Sequence, residues 1–165
     1  TTTTSRLGQD GSTQVFTLLG YVNGSAPSTL VSGVSARMIE AEAALRRGDA
    51  ALWLSKLNEP RADAAVRALR NIPTTADVLP PLTDPGTADA RINLLFRERA
   101  FWFYLTATRV GDLRRLQRQY NRPATAVWPT GAYFKGGTYG TDVTLTPSFA
   151  EFNNTAYKGC TDRNP

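Results

Sequence analysis

Histidine is absent from this 165-residue chain, and cysteine occurs once, as Cys160. Metal centres built on imidazole or on paired thiolates are therefore excluded, as are His-based catalytic triads and dyads. A single cysteine cannot staple the chain internally; Cys160 reads first as a free thiol and second as half of a bridge to other sequence or to a partner. Lysine is scarce too. Of 19 basic residues only Lys56, Lys135 and Lys158 are lysine, so the net charge of +5 is carried by arginine. Arginine suits bidentate ion pairs and packing on aromatic rings, and no contiguous basic stripe is present, so nucleic-acid binding is not expected. No apolar run reaches the ~18 residues of a membrane-spanning helix, and no basic-then-apolar leader opens the chain. The polar, repetitive start from Thr1 to Ser5 leads to the expectation that further sequence precedes it.

What is present is a composition of 41% hydrophobic and 10% aromatic residues, adequate for one folded domain with a core. Residues 1–33 read as a Gly/Ser/Thr-rich lead-in with one extended piece, Val15 to Leu19. From Val34 the chain turns helical. Val34, Met38, Ala41 and Leu45 recur at helical spacing up to a stop at Gly48. Asp49 stands where an N-cap belongs, and Leu52, Trp53 and Leu57 continue on one side as far as Pro60, which predicts a tight helical hairpin about Gly48-Asp49. A third helix is expected over Ala62 to Ile72, with Val66, Leu69 and Ile72 as its apolar stripe and Pro73 as its end. The proline-rich residues 73–87 read as an ordered excursion. A largely buried helix follows Asp89, breaks around Thr106 to Thr108, and continues as a second helix with Val110, Leu113, Leu116 and Gln117 as far as Tyr120. Residues 121–165 read as irregular coil with a short strand at Val143 to Leu145, held to the helices by Trp128, Tyr133, Phe134, Tyr139, Phe149, Phe152 and Tyr157.

Three stretches, in order along residues 34–163, carry a family resemblance. ARMIEAEAALRRGDAALWLSKLNEPRA (Ala36 to Ala62) has an acidic helix, a Gly-Asp turn and then Leu-Asn-x-x-Arg. LLFRERAFWFYLTATRVGDLRRL (Leu94 to Leu116) has a Glu-Arg helix followed by Arg-x-x-Asp-Leu-Arg-Arg, and is the most specific. LTPSFAEFNNTAYKGC (Leu145 to Cys160) is the loosest. Together they resemble the C-terminal part of the SusD/RagB family. The closing stretch departs from the family's Pro-x-Pro and Asn-Pro pattern, having Pro147-Ser148-Phe149 and Asn154-Thr155 instead.

The resemblance implies a mostly α fold of TPR-like antiparallel helical hairpins with a long irregular C-terminal coil. It also implies a surface-exposed protein of the outer membrane, lipid-anchored through preceding sequence, that caps a TonB-dependent transporter and delivers an oligosaccharide or peptide to it, without enzymatic activity or cofactor. The alternative is a structural accessory or scaffold subunit of a larger membrane complex.

Among individual residues, Glu98, Arg109, Asp112 and Arg115, with Arg99 and Arg114 nearby, form the densest charged constellation. Arg109 and Asp112 lie one helical turn apart, so the group reads as structural ion pairing between helices rather than acid-base machinery. Trp53 and Trp102 sit on apolar helix faces and are expected in the core. Trp128, Tyr133 and Tyr139, in the coil, are the candidates for ligand contact, since a flat aromatic face matches the C–H face of a pyranose.

Overall fold

A computed structural model describes residues 2–17, 23–26, 29–69, 72, 79–145 and 147–159. The described chain is mostly helical, with seven helices and one two-stranded sheet, and it divides into two compact units, Thr1–Trp102 and Phe103–Pro165.

The first unit opens with a hairpin. Strand β1 (Thr2–Leu7) pairs antiparallel with β2 (Gln14–Thr17), Thr3 opposite Phe16 and Leu7 opposite Gln14. The Asp10 carboxylate builds the turn by accepting from the amides of Ser12 and Thr13 at 3.1 and 2.9 Å. The expected extended piece, Val15 to Leu19, therefore starts one residue earlier, at Gln14, and is paired with a partner strand; Leu18 and Leu19 lie outside the described residues.

Helix α1 (Gly33–Arg46) starts at a reciprocal cap, in which the Ser32 hydroxyl accepts from the Ser35 amide and the Ser35 hydroxyl from the Ser32 amide. It ends at Gly48, whose φ of +80° only glycine adopts without strain. Asp49 then caps α2 (Ala50–Ala62), its carboxylate accepting from the Leu52 amide at 3.0 Å. Arg37, early in α1, meets Glu59, late in α2, at 3.1 Å, and Glu40 faces Lys56 at 3.4 Å. The two helices thus lie side by side in opposite directions. Their shared face buries Val34, Met38, Ala41, Ala44, Trp53 and Leu57.

Two expectations on this stretch are corrected. Helix α2 does not stop at Pro60 but carries it inside its last turn, where one forfeited backbone bond is offset by burial of the ring. Asp63 follows as a new cap, accepting from the amides of Ala65 and Val66 at 2.8 and 3.1 Å, and α3 (Ala64–Leu69) starts after it, two residues later than expected; Arg70 and Asn71 lie outside the described residues. The anticipated apolar stripe is only partly covered: Val66 and Ile72 are half-buried, Leu69 is 81% exposed, and Arg67 is turned inward. A six-residue helix covers less than two turns and cannot present a long stripe to one neighbour. The expected stop at Pro73 lies outside the described residues.

Helix α4 (Ala88–Trp102) packs on α1 and buries Leu95, Phe96 and Trp102. Trp53, fully buried, and Trp102 are core residues, as their helical positions predict.

In the second unit, Phe103–Thr108 breaks the helical path, with Leu105 and Ala107 at φ of +60° and +63°. Helix α5 (Arg109–Tyr120) ends at Asn121, also left-handed. Short helices α6 (Ala124–Val127) and α7 (Phe149–Phe152) lie in the C-terminal stretch. The strand expected at Val143 to Leu145 is not formed. No strand lies beside it among the described residues, and the Val143 carbonyl accepts from the Arg114 guanidinium at 3.2 Å.

Candidate functional site

Within the first unit, the Leu-Asn-x-x-Arg stretch works as a clamp. Asn58 and Arg61 are one turn apart on α2 and therefore point the same way. The Asn58 side chain donates to the Leu82 carbonyl at 3.1 Å and accepts from the Leu82 amide at 2.8 Å. Arg61 donates from Nε and Nη2 to the Pro80 carbonyl at 2.9 and 2.7 Å, and from Nη1 to Glu98 at 2.8 Å. Pro80 and Pro81 offer no amide for backbone pairing, and the segment is held through the Pro80 carbonyl by Arg61. The same excursion is fixed at its other end by Asp84, whose carboxylate receives Nε and Nη2 of Arg91 at 2.8 and 2.7 Å. That guanidinium, followed by the Gly86 amide, holds the Asp84 carboxyl below its usual pKa.

Behind the clamp is a cleft of about 420 Å³, walled by Ile72, Leu79, Leu82, Phe101 and Trp102, with the Arg61–Glu98 pair on its lining. All three donor nitrogens of Arg61 are engaged. The cleft can house an apolar body, but the pair within it is a structural tie between α2, α4 and the proline-rich segment. Asn58 and Arg61 were not singled out by their chemistry. Their i, i+3 spacing was the available signal, and it gains meaning only once residues 79–82 are seen to lie against it.

Among the charged candidates, Glu98 is thus paired with Arg61. In the second unit, Asp112 is buried and takes Arg115 at 3.1 Å. Arg109 is exposed and makes no ion pair with a described residue, so the expected Arg109–Asp112 pair is replaced by Asp112–Arg115. The reason lies in helix direction. Arg109 occupies the first helical position, where the positive end of the dipole opposes a cation, whereas an acidic residue three positions before an arginine is the favoured order.

The aromatic candidates divide. Trp128 is half-buried, and its indole Nε1 donates to Gln117 of α5. Tyr133 and Tyr139 come together on one tight loop, their ring centres 5.2 Å apart at 74°. Phe134 joins them, 4.8 Å from Tyr133 at 64°. The loop is closed by three backbone bonds: Tyr133 N–H to Gly137 at 2.9 Å, Gly136 N–H to Tyr133 at 2.9 Å, and Tyr139 N–H to Gly131 at 3.0 Å. Gly131, Gly136 and Gly137 all have positive φ, which is how so short a segment reverses and brings residues six apart into ring contact. Phe134 remains 80% exposed. Phe149, Phe152 and Tyr157 form a second chain of edge contacts at 6.4 and 6.5 Å. Of the tail aromatics, then, Trp128 reaches a helix through Gln117, while the others make the ring contacts just described. Cys160 lies outside the described residues.

Compared with protein-family models, with curated proteins and with solved structures, the chain matches none.

Proposed function

We propose that this chain is the C-terminal part of a SusD/RagB-like protein. In this reading α1 and α2 are one of a set of TPR-like antiparallel hairpins. The protein stands at the outer surface of the outer membrane, held by a lipid anchor in preceding sequence, and binds an oligosaccharide or peptide for a TonB-dependent transporter, with no enzymatic step and no cofactor. The observation that carries it is the exposed Tyr133–Phe134–Tyr139 cluster, a solvent-facing aromatic surface on a loop closed by backbone hydrogen bonds, which is the kind of surface that stacks on a solute ring. The Leu-Asn-x-x-Arg and Glu-Arg stretches support it from a second side. Residues of those stretches tie α2 to α4 through Arg61 and Glu98, and α2 to the proline-rich segment through Asn58.

A second reading, a scaffold subunit of a membrane complex, is favoured by α7, where Phe149 is 81% exposed and Phe152 stands beside it. Affinity capture of the protein from detergent-solubilised outer membranes, with mass spectrometry of what accompanies it, separates the two. Recovery of a large β-barrel transporter supports solute uptake. Recovery of another membrane assembly without a barrel sinks that reading in favour of the scaffold.

A further inference from the structure

Lys135 is the only charged residue between Arg122 and Asp142. It is exposed, and its Nζ lies 5.6 Å from the centre of the Phe134 ring, within the reach of cation–π attraction. The loop itself supplies no carboxylate to neutralise it. The three rings meet at steep angles, so they make a corner rather than a slab, with an ammonium at its edge. A ring face suits the C–H face of a sugar, and the Tyr133 and Tyr139 hydroxyls can donate to or accept from sugar hydroxyls.

We propose that this loop takes an acidic oligosaccharide, one whose uronate carboxylate reaches Lys135 while a neighbouring sugar ring lies on the aromatic corner. The inference rests on the solute-binding reading above and names the class of solute. A neutral glycan would leave the ammonium to water and gain nothing from it, whereas a uronate gives it an opposite charge. An acidic peptide would answer the charge, but peptides gain most of their affinity from main-chain pairing along an open edge. Here the amides of Tyr133, Gly136 and Tyr139 are already spent inside the loop.

The test is calorimetric titration of the 165-residue chain with length-matched oligogalacturonate, neutral galacto-oligosaccharide and a glutamate-rich peptide, at low and high salt. Exposed charge contacts are modest and screened, so oligogalacturonate should bind roughly fivefold tighter than the neutral glycan at low salt and lose that advantage in high salt. Lys135→Ala should abolish the preference and Lys135→Arg keep it, while Tyr133→Ala should weaken both glycans. Equal binding of the two glycans by the unaltered chain, or a preference that survives Lys135→Ala, overturns the acidic assignment and leaves solute binding standing. Tighter binding of the peptide than of either glycan overturns the choice of a sugar. Binding of none of the three by chain that circular dichroism shows to be helical overturns the solute-binding reading itself.

Discussion

Glu98 is 3% exposed and faces Arg61 at 2.8 Å, so its charge is compensated by one partner. Removing the carboxylate leaves a buried guanidinium on two carbonyl bonds. Glu98→Ala should therefore lower stability by about 3 kcal/mol in chemical denaturation. Arg109→Ala is the internal control. Exposed and without an ion pair to a described residue, Arg109 should move stability by no more than about 0.5 kcal/mol. A large loss there would mean that Arg109 itself belongs to a stabilising charge pair. Asp84 makes a pH prediction. Its carboxyl is held below the usual value of 3.8, first by Arg91. A depressed carboxyl contributes stability that is present above its unfolded value and lost as pH falls through the folded one. The melting-temperature gap between the native chain and Asp84→Asn should thus be full at neutral pH and shrink toward zero in strong acid. A gap that widened on acidification would contradict the ion pair. At this scale the sequence was informative about which residue types mattered and poor about who meets whom. Glu98 was recognisable as important, but Arg61 lies 37 positions away and only packing makes them neighbours.

Helices declared themselves through periodicity and caps, because both are local. Gly48 at +80° and Gly111 inside the first turn of α5 make opposite predictions for the same substitution. Gly48→Ala forces a side chain into the left-handed region and should cost about 1 kcal/mol. Gly111→Ala meets nothing within 4 Å and should stabilise by roughly 0.5–1 kcal/mol, as alanine does in a helix interior. Thermal melts of the two variants moving in the same direction would mean that one backbone assignment is wrong. The elements that escaped were those whose existence depends on a partner. Strand β1 has the composition of a loop and becomes a strand because β2 lies beside it. Val143 to Leu145 has the composition of a strand and stays irregular, with no strand beside it among the described residues. Pro60 marks a boundary in isolation, yet sits so late in α2 that the helix runs on for two residues.

Across the whole molecule, the question is whether the exposed rings serve a solute. Tyr133→Ala should abolish or strongly weaken oligosaccharide binding, measured by calorimetry, while the melting temperature changes little, since the loop is closed by backbone bonds that the substitution leaves in place. A collapse of the melting temperature would make Tyr133 a packing residue and remove the platform from consideration. By itself the sequence determined the helical class, the caps at Asp49 and Gly48, the burial of Trp53 and Trp102, and the absence of imidazole chemistry, because each depends on residue type or on spacing within a few turns. Only the tertiary structure decided that Asn58 and Arg61 grip residues 80–82, that Asp112 chooses Arg115, and that Tyr133 and Tyr139 share one exposed corner while Trp128 turns to Gln117. Those outcomes depend on where the chain returns in space, and a side chain's nearest competitor for a hydrogen bond or a ring contact is fixed by that return and not by its neighbours in sequence.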